Sequence, residues 1–392
     1  MTSTVTPRVS RPLAVLRDRV LRFAELATTP LLPTDYLDLV DPLRSGAALR
    51  GRVVAVQRET RDAATIVLRP GRGWQGHTPG QYVRIGVDVD GVRRWRAYSL
   101  TSHRGRTDGC ISITVKAIPG GKVSNHLVHA TEPGTIVQLD QAAGEFVLPP
   151  QRPAKTLFVT AGSGITPVMG ILRHLDDAMD DAMDDAMDDA MDDAMDDAMD
   201  DATGSGARDV VLVHSAPTPD DVVFGAELRA LAATGRIRLV EQHTDTAGLL
   251  DAAAIAALVP DLAERATWAC GPVGMLEALE AHWAAAGLAD RLYTERFRPT
   301  VLVTGEGGTV TFTDGTTVDA DGATPILDAA EEAGVLMPSG CRMGICFGCV
   351  LPLREGAVRD LRNGEVTTAV PGDGVLVQTC VSAAAGDCAI DH

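Results

Sequence analysis

Four cysteines constrain this chain more than any other feature. The run Cys341-Arg-Met-Gly-Ile-Cys346-Phe-Gly-Cys349 reads C-x4-C-x2-C, and Cys380 follows after 30 intervening residues. That is the spacing of thiolate ligation to a 2Fe–2S cluster: a tight loop brings three sulfurs together and a distant segment supplies the fourth. Gly340, Gly344 and Gly348 let the backbone bend around a cluster and turn N–H groups toward its sulfurs. Zinc sites use paired short spacings and histidine instead. Cys388 falls outside the pattern and reads as structural. Seven cysteines, an odd number, argue against a disulfide framework.

The rest of the chain is long enough for further domains, since 392 residues suggest two or three. No run of eighteen apolar residues occurs, and Arg17, Asp18, Arg19 and Arg22 interrupt any leader-like stretch. The chain therefore reads as cytoplasmic, without a transmembrane segment. The net charge of −18 is concentrated in one place: residues 176–201 hold fourteen aspartates, and without them the balance is −4. Nucleic acid is disfavoured as a partner.

Residues 1–47 read as a helical extension, with Leu13, Leu16, Val20, Phe23 and Ala27 at helical spacing. Packing on the next domain is the simple reading. A peripheral contact with a membrane surface or a membrane-bound partner is the alternative. Residues 48–152 hold six short alternating strands separated by Pro-Gly pairs, which predicts an antiparallel β-barrel. Residues 153–300 alternate apolar strands with Ala-rich helices, which predicts a doubly wound α/β domain with a parallel sheet. The Ala-Met-Asp-Asp repeat at 176–202 is a low-complexity insertion within it. Residues 305–392 combine a hairpin at Asp314-Gly315, a helix at 326–333 and the cysteine loop.

Three motifs precede the cysteines. Arg96-Ala97-Tyr98-Ser99 lies on a predicted strand, where alternation puts Arg96 and Tyr98 on one face. Gly120-Gly121-Lys122-Val123-Ser124-Asn125 opens a helix whose N-terminus suits an anion. Thr160-Ala161-Gly162-Ser163-Gly164-Ile165-Thr166-Pro167 joins an apolar strand to a helix, and Cys270-Gly271-Pro272 ends another strand.

In this order the motifs resemble those of the ferredoxin–NADP reductase superfamily, and residues 306–392 resemble a plant-type ferredoxin. The resemblance implies a β-grasp fold for the last domain, with Cys341, Cys346, Cys349 and Cys380 as cluster ligands. It implies FAD on the barrel, with FMN as the alternative: Tyr98 stacks on the flavin, Arg96 reaches its phosphates and Ser99 touches its edge. Gly121, Val123 and Ser124 form the phosphate element. Gly162, Gly164, Thr166, Gly271 and Pro272 hold the dinucleotide, with Cys270 and Phe297 near the nicotinamide and flavin. NADPH and NADH both stay open, with a lean to NADPH from similarity to actinobacterial desaturase and oxygenase reductases. The implied activity is electron transfer from NAD(P)H through flavin and cluster to an acceptor protein: a desaturase, hydroxylase or oxygenase. A redox sensor without a dedicated acceptor is the alternative.

Overall fold

The computed structural model describes residues 37, 38, 40–44, 48–175, 209–297, 303–340, 342–344 and 347–392. The expected helix at 13–27, the aspartate-rich insertion, Cys341 and Cys346 lie outside the described residues. Among the described residues no helix is long and apolar enough to cross a membrane.

Strands β1 (Arg50–Thr60), β2 (Ala63–Pro70), β3 (Tyr82–Val89), β4 (Val92–Ser99), β5 (Ile111–Lys116) and β6 (Ile136–Leu139) form an antiparallel sheet in the order β4-β3-β6-β1-β2-β5. Its two ends meet where Leu100 bridges Ile113, so the sheet closes into a barrel. The sequence places the start of β4 at Arg96. The strand begins four residues earlier because Asp90 and Gly91, with φ of 54° and 78°, make a two-residue turn that pairs Val89 with Val92. Helix α1 (Lys122–His129) plugs the barrel with Val123, Leu127 and Val128, which pack against Ile66, Val83 and Ile113.

A second sheet is fully parallel. It comprises β7 (Lys155–Ala161), β8 (Asp209–Ala216), β9 (Arg238–His243), β10 (Ala266–Cys270) and β11 (Leu292–Glu295), in the order β11-β10-β7-β8-β9. Its helices are α2 (Ile165–Leu172), α3 (Gly225–Ala233), α4 (Thr244–Ala247), α5 (Ala252–Leu258) and α6 (Val273–Ala285). Phe158 packs with Trp268 and α2 on one face, while Leu157 and Val159 pack with Ile255 of α5 and Leu276 of α6 on the other. Both faces are covered, which is why the middle of β7, Leu157-Phe158-Val159, is a continuous apolar run rather than alternating.

Helix α2 also ties this sheet to the barrel. Gly170 packs so closely that a Cβ there would lie 2.4 Å from the Leu100 carbonyl oxygen. The backbone N–H of Arg104 donates to His174 Nε2 at 2.6 Å, and His174 Nδ1 donates to the Gly170 carbonyl.

The third sheet holds β12 (Gly308–Phe312), β13 (Thr317–Ala320), β14 (Val350–Asp360), β15 (Val366–Ala369), β16 (Leu376–Gln378) and β17 (Ser382–Ile390), with α7 (Ile326–Glu332) against it. β12 runs parallel to β17 and antiparallel to β13, a mixed sheet grasping one helix. β14 pairs antiparallel with β15, β16 and β17, and no local sequence signal marks these partners.

Candidate functional site

The three sheets meet at one cleft of about 510 Å³. β4 forms one wall with Arg96, Tyr98 and Ser99, all three lining the cleft. Ser99 is 3% exposed, and its buried hydroxyl has no hydrogen-bond partner among the described residues. An orphaned hydroxyl costs about 1–3 kcal/mol, so its position suits the polar edge of a bound ligand. Burial pushes the Tyr98 phenol well above its ordinary range. Burial, followed by the nearby Arg342 guanidinium, lowers Arg96 to about 10. Arg96 stays charged at neutral pH and gives one Nη1 bond to the Trp95 carbonyl, at 2.7 Å.

The first turn of α1 forms the second wall. Its N-cap, Gly121, has no room for a side chain: a Cβ would lie 2.5 Å from both Ile118 Cγ1 and Ser124 Oγ. Asn125 Nδ2 pins the turn by donating to the Ile118 and Gly121 carbonyls. Val123 and Ser124 line the cleft, and no side chain caps the helix, which leaves its first amides for an anion. Lys122 adds positive charge, while Lys116 is paired with Asp62 at 2.7 Å. Cationic β4, a free helix end and an unpaired hydroxyl together fit a flavin with phosphate groups.

The third wall comes from the turn after β7. Ser163 and Thr166 line the cleft, with Thr166 Oγ1 donating to the Ser163 carbonyl at 3.0 Å. Gly162 and Gly164 shape the turn without lining the cleft. Gly162 is left-handed (φ 54°), and a Cβ on Gly164 would lie 2.0 Å from the Cys270 carbonyl oxygen. Cys270, Gly271 and Pro272 thus sit behind the turn. Cys270 is fully buried, and its thiol is pushed well up by burial and by Glu295 on the neighbouring strand. Phe297, 39% exposed, closes this side.

Burial raises the Glu295 carboxyl to about 8, and its Oε2 has no partner among the described residues. Glu295 is therefore protonated at neutral pH. An acid raised in the folded state makes the protein lose stability as pH climbs from the unfolded value toward and past the folded one. Relative to Glu295→Gln, the wild-type thermal midpoint should fall between pH 5 and pH 9. Parallel curves for the two proteins would refute this assignment.

The fourth wall is the cysteine module, through Pro325, Asp328, Arg342 and Cys380. Cys349 and Cys380 are both buried, packed with Leu327 and Val381. Thr379 joins the two cysteine segments, giving its N–H and its hydroxyl to the Cys349 carbonyl at 3.2 and 3.0 Å. The Gly344 carbonyl accepts from Arg362 and Gln378, which fixes the loop. The loop's curvature uses Gly344 and also two residues with side chains, Arg342 and Phe347, at φ of 60° and 56°. Two buried thiols joined this way fit cluster ligation.

Several cleft residues escaped sequence reasoning. Lys122 and Arg342 sit inside the helix-opening and cysteine-loop motifs, where residue type alone does not mark them as lining residues. Asp328 and Glu331 share a face of α7 at i, i+3, but nothing in the sequence says what that face meets.

Comparisons with known proteins agree with this geometry. Residues 51–148 match the family model of the oxidoreductase FAD-binding domain, 158–281 that of the oxidoreductase NAD-binding domain, and 311–385 that of the 2Fe-2S iron-sulfur cluster binding domain. An NADPH oxidoreductase of Mycobacterium tuberculosis is 48% identical over 376 residues, which span 94% of this chain and 91% of the relative. The ferredoxin reductase component of 3-ketosteroid-9-alpha-monooxygenase from Mycolicibacterium smegmatis is 28% identical, over 81% of this chain and 89% of its own. The solved structure of phthalate dioxygenase reductase shares the fold, at 21% identity and a TM-score of 0.54, covering 88% of this chain and 97% of that one.

Proposed function

Because this chain belongs to the family of NAD(P)H oxidoreductases with FAD-binding, NAD-binding and 2Fe–2S domains, we propose that it is the reductase component of an oxygenase or desaturase system. The bound groups supply the redox chemistry, in which hydride passes from NAD(P)H to FAD and single electrons leave through the cluster. The protein positions those groups and shields them from water.

One observation carries the reading. The β4 tetrapeptide, the N-terminus of α1, Thr166 and Cys380 all open into a single cleft. In this reading the barrel is residues 48–152, the nucleotide domain 153–300 and the ferredoxin domain 305–392. Arg96 and the α1 amides at Val123 and Ser124 hold the flavin phosphates, Gly121 permits their approach, Tyr98 stacks on the ring, and Ser99 bonds its edge. Gly162, Gly164 and Thr166 seat the dinucleotide pyrophosphate, with Gly271 and Pro272 beside it. Phe297 borders the nicotinamide, and Cys270 backs the turn from its buried position behind it. Cys341, Cys346, Cys349 and Cys380 ligate the cluster.

The oxygenase partner is supported by relatives named as reductase components of glycine betaine and ketosteroid monooxygenases. NADPH as the donor is supported by the 48% identical NADPH oxidoreductase. A membrane-bound desaturase as acceptor would give the segment before residue 48 a role at the membrane surface.

Anaerobic titration with NADPH and then with NADH, followed by optical and EPR spectra, tests the whole proposal. Flavin bleaching and a reduced 2Fe–2S signal at lower NADPH than NADH are expected. A protein in which neither nucleotide reduces a cluster would defeat it.

A further inference from the structure

The cleft is closed on its cysteine side by a charge cluster that no motif announces. Glu331, near the end of α7, lies with its Oε2 3.3 Å from Arg94 Nη1 and 3.9 Å from Arg96 Nη2, both on β4 of the barrel. Its other oxygen, Oε1, pairs with Arg342 of the cysteine loop, and Arg342 also pairs with Asp328 one turn earlier on α7. The cluster is largely out of water: the side chains of Arg94, Glu331 and Arg342 are 10%, 17% and 19% exposed. Among the described residues, Glu331 is the only carboxylate within ion-pair distance of Arg94.

We propose that Glu331 is the positioning residue that docks the cluster module on the flavin barrel, one carboxylate holding β4 and the cysteine loop together. The proposal rests on the functional reading above, because docking matters only if electrons cross this boundary. The physical case is asymmetric. With Glu331 charged, three guanidiniums converge on a shared acceptor. Without it, Arg94 and Arg96 are left as neighbouring cations with no carboxylate partner among the described residues, Arg342 keeps only Asp328, and removal of one member of such a group is far more costly than the group's net stabilisation. The module would separate from β4 rather than keep that arrangement. Arg342 directly follows Cys341 in the sequence and lines the cleft, so the same carboxylate that fixes the barrel contact also holds the cysteine loop at the cleft.

The test uses the holoprotein and two variants on opposite sides of the boundary, Glu331→Gln and Arg94→Gln. NADPH-dependent ferricyanide reduction reports the flavin, and cytochrome c reduction reports passage through the cluster. Small-angle scattering reports docking independently of activity. Both variants should lose about tenfold or more in cytochrome c reduction. Ferricyanide reduction should stay within about twofold of wild type in Arg94→Gln, which leaves Arg96 its Glu331 partner. The radius of gyration should rise, and Glu331→Asp should recover most of the cytochrome c rate. Unchanged rates and dimensions would overturn the proposal. So would a parallel fall in both activities, which would put Glu331 at the flavin, or loss of the cluster's EPR signal in Glu331→Gln while Arg94→Gln behaves as wild type. A wild-type protein that reduces neither acceptor would instead defeat the functional reading.

Discussion

Cys380→Ser should abolish the 2Fe–2S signal and lower NADPH-dependent cytochrome c reduction by about 100-fold or more, while NADPH still bleaches the flavin. The expectation follows from the position of this cysteine. It is 3% exposed, lines the same cleft as Tyr98, and is followed by Val381, whose side chain packs against both Cys349 and Cys380. A serine oxygen is a harder, poorer ligand for iron–sulfur chemistry than a thiolate. The substitution nearly conserves volume, so the pocket itself should survive. Thr379 still bonds the Cys349 carbonyl, and the third sheet remains paired. EPR of the chemically reduced variant checks the cluster, and the two acceptor assays check the route. A variant with a full 2Fe–2S signal would remove Cys380 from the ligand set. Loss of the cluster with undiminished cytochrome c reduction would show that electrons leave from the flavin directly.

The sequence made this cysteine legible because ligation demands fixed intervals along the chain. The same holds for Tyr98 and for Thr166, where a short local stretch must present several groups at once. Local constraints write themselves into consecutive residues. The charge cluster beside the cleft answers to a different constraint. Glu331 and Arg94 are 237 residues apart, and their pairing depends on how two folded modules lie against each other. A charged residue on a short helix face looks the same whether it meets water or a buried arginine. Strand register behaves similarly: β12 and β17 pair in parallel across most of the last module, and neither carries a local mark of its partner. The buried strand β7 was readable, since its continuous apolar run follows from both of its faces being covered.

The two glycines of the dinucleotide turn make a sharper test, because they look alike in sequence and differ in space. Gly162 is left-handed at φ 54°, yet a Cβ there would meet nothing within 4 Å. Alanine at this position should cost about 1–2 kcal/mol of conformational strain, in an otherwise open site. Gly164 has an ordinary helical φ of −63°, but its Cβ would lie 2.0 Å from the Cys270 carbonyl oxygen, 2.4 Å from its carbon and 2.9 Å from the Gly271 nitrogen. All three obstacles are backbone, so no side chain can swing aside. Gly164→Ala must push β7's turn away from the end of β10, parting Thr166 from the Cys270-Gly271-Pro272 segment. A displacement of about 1 Å in a reacting pair is worth about 100-fold in rate. We therefore expect Gly164→Ala to lower kcat/KM for NADPH by about 100-fold or more, and Gly162→Ala by about tenfold. Flavin and cluster spectra should persist in both, since neither glycine belongs to those sites. Stopped-flow reduction of the flavin by NADPH measures the difference. Equal losses in the two variants would mean that the turn is limited by backbone conformation rather than by its contact with Cys270.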